Sequence, residues 1–171
     1  MGTSLLFLIL CIGLLQSGNA QQKPEFLKFM NDTWVTEKFE KMSLDEKIGQ
    51  LFIVQAYSRD TSYTQSVLSD IAQFHVGGVI FMEGHPRIQA SLTNRFQRAS
   101  ATPLLIAADA EFGLAFRLDS TIRYPVQMAL GAIENDTLIY QMGKEIGQQC
   151  RRIGIHLNFH TQLEITPPGR I

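Results

Sequence analysis

The sequence predicts an α/β fold in which parallel strands alternate with crossover helices. Four apolar segments of strand length are separated by three segments whose apolar residues recur at helical spacing. The strand segments end at polar residues, namely Gln55, Glu83, Asp109 and Asn158. This alternation is typical of a parallel sheet, and it fits both a doubly wound sheet and part of a (β/α)8 barrel. In a barrel, polar strand ends are where the βα-loops build a site.

The first 20 residues have the layout of a secretory signal peptide. Residues 5–15 are almost purely apolar, and residues 18–20 resemble a cleavage site. Because the apolar stretch is shorter than the roughly 20 residues that span a bilayer, we expect export to the periplasm or the extracellular space, with no membrane association after cleavage. Residues 21–41 continue with an amphipathic pattern, which predicts an N-terminal helical extension.

The alternating part begins with a predicted helix. Ser43 and Glu46 have the spacing of a capping box, in which the serine accepts from a backbone amide and the glutamate reaches back to the cap. Asn135 or Asp136 is expected to cap the last helix, and Gly154 to end it. Strands are predicted at residues 50–56, 79–82, 104–108 and 155–159, and the helices between them contain residues 64–74, 88–99 and 138–150.

A long predicted loop at residues 109–127 follows the third strand and carries Asp109, Glu111 and Arg117. Two carboxylates that stand two residues apart would point to the same side, about 6.6 Å apart, if the chain stayed extended. Such a pair suits glycoside hydrolysis, in which one group attacks or activates water and the other protonates the leaving oxygen. A carboxylate could equally accept hydrogen bonds from sugar hydroxyls, and the spacing leaves both roles open. Glu111 could instead pair with Arg117 and hold the loop.

The overall charge and the placement of histidines argue against several classes of function. The net charge is −1 and no segment forms a basic surface, so we expect no nucleic-acid partner. His156 and His160 stand four residues apart in a predicted strand, a spacing of about 13 Å that does not suit a shared metal ion. We therefore expect neither a metal nor a cofactor. Cys150 lies in a helical pattern with apolar neighbours, which predicts a buried, unreactive thiol.

The order of several motifs along the chain resembles glycoside hydrolase family 3. The matching segments are residues 42–51, 77–81, 106–114, 124–125, 128–132 and 154–159. The resemblance implies a TIM-type (β/α)8 barrel, of which residues 42–160 would form about the first four β/α units. Residues 161–171 depart from the family pattern, and we expect them to form a divergent tail. Within the family the likeness is to exported bacterial β-N-acetylhexosaminidases, which implies a carbohydrate substrate, an aminosugar glycoside.

The resemblance also implies roles for the residues of the long loop. Asp109 would bind sugar hydroxyls in the −1 subsite, and Arg117 matches a family arginine that would organise the loop. From the residues alone, we expect Glu111 to help organise the same loop by pairing with Arg117. The family's catalytic residues, a nucleophilic aspartate and in this branch an acid/base histidine, would lie beyond Ile171. We therefore expect a truncated part of an enzyme for retaining hydrolysis of terminal β-linked N-acetylhexosamine, inactive as the isolated chain. A non-catalytic glycan-binding or interaction module on the same scaffold is the alternative.

Overall fold

The computed structural model describes residues 25–159, which divide into two compact units after Lys41. The predicted signal peptide at residues 1–20 and the predicted divergent tail at residues 161–171 lie outside the described residues. Within the described range, no helix is both long enough and apolar enough to cross a membrane.

The first unit, in its described part, consists of two short helical segments. A 3-10 helix covers Glu25–Phe29, and helix α1 covers Thr33–Lys41. Asp32 Oδ1 accepts a hydrogen bond from the Trp34 amide at 2.9 Å, which satisfies one of the free amides at the start of α1. Both segments fall within residues 21–41, where the sequence predicts a helical extension.

The second unit contains four strands and five α-helices among its described residues. The strands are β1 (Ile53–Ser58), β2 (Gly78–Gly84), β3 (Leu105–Ala108) and β4 (Leu157–Asn158). The helices are α2 (Leu44–Gly49), α3 (Thr64–Phe74), α4 (Pro86–Ala99), α5 (Gln127–Leu130) and α6 (Asp136–Arg152). Short 3-10 helices occupy Thr61–Tyr63 and Leu114–Phe116. The predicted alternation of strands and helices is confirmed.

The four strands form one parallel sheet in the order β1-β2-β3-β4. Because crossovers between parallel strands are right-handed, an order that never reverses puts the crossover helices on the same face of the sheet. A doubly wound sheet needs a reversal of strand order, which places helices on both faces. The observed order is therefore that of about the first four units of a TIM-type barrel, and the predicted fold class is confirmed.

One face of the sheet packs against the crossover helices and forms the hydrophobic core. Alternate strand residues such as Phe81 and Ile106 are fully buried on this face. The Phe81 ring stacks on the Phe96 ring of α4, with 6.1 Å between the centroids. Burial raises the pKa of the Cys150 thiol, and the prediction of a buried cysteine is confirmed. The same core includes Val67 and Ile71 from α3, Leu92 from α4, and Ile146 from α6.

The opposite face of the sheet, which we call the open face, is more exposed. Ile53 and Leu105 lie on either side of Gly78 in one row of this face, and they are 39% and 49% exposed. In a closed barrel this face points to the interior. By strand alternation, its members are Ile53, Gln55 and Tyr57 from β1, Gly78, Ile80 and Met82 from β2, and Leu105 and Ala107 from β3.

All four strands differ in extent from their predictions: β2 covers Gly78–Gly84 rather than residues 79–82, and β3 begins at Leu105 rather than at residue 104. β1 begins at Ile53 rather than at residue 50, because tight turns continue from α2 to Phe52, whose amide donates to the Gly49 carbonyl at 3.0 Å. β4 covers Leu157–Asn158 rather than residues 155–159. The backbone of Gly154 has a φ of +79°, so the chain turns just before it joins the sheet.

Candidate functional site

The polar residues predicted at the strand ends lie towards the C-terminal edge of the sheet. Asp109 directly follows β3, and Asn158 is the last residue of β4. Glu83 is the penultimate residue of β2, and Gln55 lies within β1. Because all the strands are parallel, their carboxyl ends share one edge, which is the edge where a TIM-type barrel builds its site.

Asp109 and Arg117 form a largely buried ion pair at this edge. Arg117 Nη2 donates to Asp109 Oδ2, and the two side chains are 23% and 21% exposed, respectively. Arg117 also stacks on Phe116, with Cζ 4.6 Å from the ring centroid. Its Nε is buried and has no hydrogen-bond partner among the described residues. Because Arg117 is itself positioned by the adjacent ring, the pair fixes the orientation of the Asp109 carboxylate.

Glu111 has different contacts from those that the sequence suggested. The sequence suggested an ion pair between Glu111 and Arg117, whereas Arg117 pairs with Asp109. The reason is that β3 ends before Asp109, and Glu111 then forms a β-bridge with Gly113. Since the chain does not stay extended, the spacing of two residues does not place both carboxylates on one side. The Glu111 carbonyl accepts from Gln127 Nε2 at 2.9 Å, which ties two parts of the loop together.

The loop that carries Arg117 is attached to the end of β2. The Gly84 amide donates to the Arg117 carbonyl at 3.1 Å, and the Asp119 amide donates to the Gly84 carbonyl at 2.9 Å. Gly84 has a φ of +148°, and a Cβ there would lie 2.2 Å from the Ser58 carbonyl carbon, so the position requires glycine. Arg117 is therefore held through its main chain as well as its side chain.

Asn158 anchors the start of the same loop to β4. Its Oδ1 accepts from the Ala110 amide at 2.8 Å, and its Nδ2 donates to the Ala110 carbonyl at 3.5 Å. Sequence reasoning marked Asn158 only as a polar strand end, because the anchor depends on a residue 48 positions away. The one available signal was a polar side chain inside an apolar segment.

Two histidines of the described part make structural hydrogen bonds. His156 Nδ1 accepts from the Ile106 amide at 3.0 Å, and His85 caps α4 by accepting from the Arg87 amide at 3.2 Å. Within residues 25–159, no group of three or more His, Cys, Asp or Glu side chains could hold a metal ion. His160 lies outside the described residues.

Sequence reasoning missed an aromatic pair at the end of β1. The Tyr57 and Tyr63 rings lie 5.3 Å apart, centroid to centroid, with an interplanar angle of 44°. Gln55 Nε2 donates to the Tyr57 hydroxyl, and Arg59 forms an ion pair with Glu83 at the neighbouring end of β2. The pair has no sequence signature, because Tyr63 ends a short 3-10 helix whose approach to β1 is set by the fold.

A groove of about 700 Å³ lies between α6 and β4. Its walls include the apolar side chains of Met142, Ile146 and Ile155, together with Glu111 and Asn158. Asp109 and Arg117 do not line this groove, so it is distinct from the ion pair at the end of β3.

A comparison with protein families identifies the fold. The model of the glycosyl hydrolase family 3 N-terminal domain matches residues 43–168. The chain belongs to this family. The match includes all four strands and the loop with Asp109 and Arg117, and the resemblance stated from the sequence is confirmed.

The relatives of this family 3 chain are much longer proteins. It is 29% identical over 132 residues to a protein of Cellulomonas fimi named beta-N-acetylglucosaminidase/beta-glucosidase, an alignment that covers 77% of this chain and 23% of the relative. A solved structure of beta-glucoside phosphorylase BglX bound to 2FGlc matches with a TM-score of 0.68 at 23% identity, over 75% of this chain and 23% of that one. A second BglX structure matches with a TM-score of 0.63, also at 23% identity, over 75% of this chain and 22% of that one. The chain thus spans 23% of the length of the curated relative.

Proposed function

We propose that this family 3 chain forms the sugar-binding part of an exported glycoside hydrolase that acts on terminal β-linked N-acetylhexosamine. Asp109 binds hydroxyl groups of the terminal sugar, and Arg117 holds Asp109 in the required orientation. The supporting observation is the ion pair at the carboxyl end of β3, where the loops of a TIM-type barrel form the active site. Glu111 and Arg117 keep the surrounding loop in place.

The contacts of the Asp109 carboxylate suit a neutral ligand with several hydroxyl donors. Arg117 contacts Oδ2, whereas Oδ1 has no hydrogen-bond partner in the part of the chain that the structure describes. A carboxylate has several acceptor sites and accepts stronger hydrogen bonds than a neutral oxygen does. Two hydroxyls of one sugar ring can therefore share it. Partial burial strengthens these bonds, because the local dielectric constant is lower than that of water.

Three observations support an aminosugar substrate and export. The name of the Cellulomonas fimi relative includes beta-N-acetylglucosaminidase, together with beta-glucosidase. The motifs of the chain resemble those of exported bacterial β-N-acetylhexosaminidases, and residues 1–20 have the layout of a signal peptide. β-Glucosides are the competing substrate class, because glucoside also occurs in the names of the solved structures.

The 171-residue chain would bind this sugar without cleaving it. Retaining hydrolysis with two carboxyl groups needs them about 5 Å apart, one to attack and one to transfer the proton. At the described edge, Asp109 and Glu83 are each engaged by an arginine, Arg117 and Arg59. An engaged carboxylate is suited to holding a hydroxyl group rather than to attacking a carbon atom. The nucleophile and the acid/base group would then come from outside these 171 residues.

Binding and hydrolysis can be measured separately on the purified 171-residue chain. Isothermal titration calorimetry should detect binding of N-acetylglucosamine, with weaker binding of glucose. Asp109→Asn should weaken binding of N-acetylglucosamine by at least about tenfold, because it removes the charge from the acceptor. Glu145→Gln, which removes an exposed carboxylate of α6, is the matched control and should bind like the unsubstituted chain.

The same preparations should release no nitrophenol from a nitrophenyl N-acetyl-β-glucosaminide. Turnover by the unsubstituted chain that disappears in an Asp109 variant would show that the chain carries its own catalytic groups. If the Asp109→Asn variant and the unsubstituted chain bind N-acetylglucosamine with equal affinity, Asp109 does not bind the sugar. A preference for glucose would favour β-glucosides as the substrate class.

A further inference from the structure

Tyr57 and Tyr63 present an aromatic surface at the end of β1. Tyr63 is 54% exposed, and Tyr57 is half-buried. The Gln55 amide donates to the Tyr57 hydroxyl, which limits rotation of this ring. Neither tyrosine belongs to the hydrophobic core, so core packing does not account for the pair.

Tyr57 and Asp109 lie at the same, carboxyl end of the sheet. Gln55 and Ala107 are both register partners of Ile80 in β2. Tyr57 follows Gln55 by two residues, so alternation in β1 places its side chain on the open face, and Asp109 directly follows β3, two residues after Ala107. Since β2 separates β1 from β3, the two main chains stand about 10 Å apart.

Charged groups border the aromatic pair. Arg59 and Glu83 form an ion pair whose side chains are 70% and 49% exposed. The face of an aromatic ring carries partial negative charge and attracts the C–H groups on the flat side of a pyranose. Charged side chains at the margin can bind hydroxyl groups at the same time. This combination fits a sugar ring better than it fits an apolar protein segment.

We infer that Tyr57 and Tyr63 form a second subsite, which holds the sugar across the glycosidic bond from the ring that Asp109 binds. The inference rests on the proposed function, because Asp109 defines the position of the first ring. The separation of about 10 Å between β1 and β3 matches the length of two linked pyranose rings. The chain therefore binds a β-linked disaccharide more tightly than a single sugar.

Calorimetry of the 171-residue chain with N-acetylglucosamine and with its β-linked disaccharide, N,N′-diacetylchitobiose, tests this preference. The disaccharide should bind about three- to tenfold more tightly, the range expected for one aromatic contact. Tyr63→Ala and Tyr57→Leu should each reduce this advantage and leave monosaccharide binding unchanged. Tyr57→Phe, which keeps the ring, should retain most of it. Tyr140→Ala removes a tyrosine of α6 that is 73% exposed, and it is the matched control.

The outcomes distinguish the second subsite from the proposed function. A disaccharide advantage that persists in both Tyr63→Ala and Tyr57→Leu, or that is absent from the unsubstituted chain, overturns the second subsite. Monosaccharide binding that depends on Asp109 would in that case still support the proposed function. If the unsubstituted chain binds neither sugar, both proposals are wrong. Circular dichroism verifies the fold of each variant. Because the Tyr63 side chain is already exposed, we expect Tyr63→Ala to keep the fold.

Discussion

Arg117 donates a hydrogen bond to Asp109, eight residues earlier in the chain, and each side chain is more than three-quarters buried. The contact joins the end of β3 to the segment that follows the 3-10 helix at Leu114–Phe116. The loop is also hydrogen-bonded to β2 and β4, through Gly84 and Asn158. The ion pair is therefore part of a loop that three strands hold in place.

Replacement of Arg117 by methionine should lower the free energy of unfolding by about 1–3 kcal/mol. The substitution keeps much of the side-chain volume but leaves the Asp109 carboxylate largely buried without its partner. Urea denaturation followed by circular dichroism measures the loss. Arg59→Met is the matched control, because the Arg59–Glu83 pair is exposed and should contribute less than about 1 kcal/mol. If Arg117→Met and Arg59→Met lower the free energy of unfolding equally, burial does not increase the contribution of the Asp109–Arg117 pair.

Gly113→Ala should destabilise the loop by about 1–3 kcal/mol. Gly113 has a φ of +86°, and a Cβ at this position would lie 2.7 Å from Cδ2 of the Tyr124 ring. Thermal denaturation measures the change. Gly147→Ala in α6 is an informative control, because its Cβ would meet nothing within 4 Å. Alanine favours a helix over glycine by up to about 1 kcal/mol, so this variant should be more stable than the parent. A Gly113→Ala variant as stable as the parent would contradict both the backbone strain and the close contact with Tyr124 at this position.

Sequence patterns predict correctly those elements that are held by interactions between residues close together in the sequence. The helix over residues 64–74 was predicted with its observed bounds, because its apolar residues recur at the helical period. The capping box is also confirmed, since Ser43 Oγ accepts from the Glu46 amide at 3.2 Å and Glu46 Oε2 accepts from the Ser43 amide at 2.8 Å. The Ser43 amide, which donates to the Glu46 carboxylate, is the main cause that lowers the pKa of Glu46.

The partner of Arg117 could not be predicted in the same way. The spacing of Asp109 and Glu111 would place both side chains on one side only if the strand continued, and that condition depends on where β3 ends. The chain instead turns at Gly113, which has a positive φ. The Tyr124 ring packs closely against this residue, and there is room for the ring only because glycine has no side chain. The bond from Ala110 to Asn158 likewise depends on the pairing of β3 with β4, which residue types alone do not specify.

Asn158→Ala should loosen the start of the loop, with a loss of about 1–2 kcal/mol in the free energy of unfolding. The Ala110 amide would lose its acceptor at 2.8 Å, and amide hydrogen exchange at Ala110 should accelerate. Asn158→Asp keeps an acceptor oxygen and loses the weaker donor contact, at 3.5 Å, so it should protect the Ala110 amide better than alanine does. If amide hydrogen exchange at Ala110 is unchanged in Asn158→Ala, water replaces the Asn158 side chain as acceptor and the hydrogen bond does not stabilise the loop.

Cys150 should react slowly with a disulfide reagent in the folded chain and rapidly in urea. Burial raises the pKa of this thiol above the ordinary value of about 8.5, so little reactive thiolate forms in the folded state. A Cys11→Ser background leaves Cys150 as the single cysteine of the sequence and gives an unambiguous signal. If Cys150 reacts as fast in the folded chain as in urea, its side chain is not buried in the core.

The raised pKa of Cys150 also predicts the direction of a pH effect on stability. The unfolded chain loses the thiol proton near pH 8.5, whereas the folded chain keeps it to a higher pH. The contribution of Cys150 to the free energy of unfolding is therefore fully present below about pH 8.5 and falls as the pH rises towards the folded pKa. Urea denaturation at pH 7 and pH 10, in the Cys11→Ser background, measures this fall. Cys150→Ala removes the titrating group, so the alanine variant should lose less stability between the two pH values than its parent does.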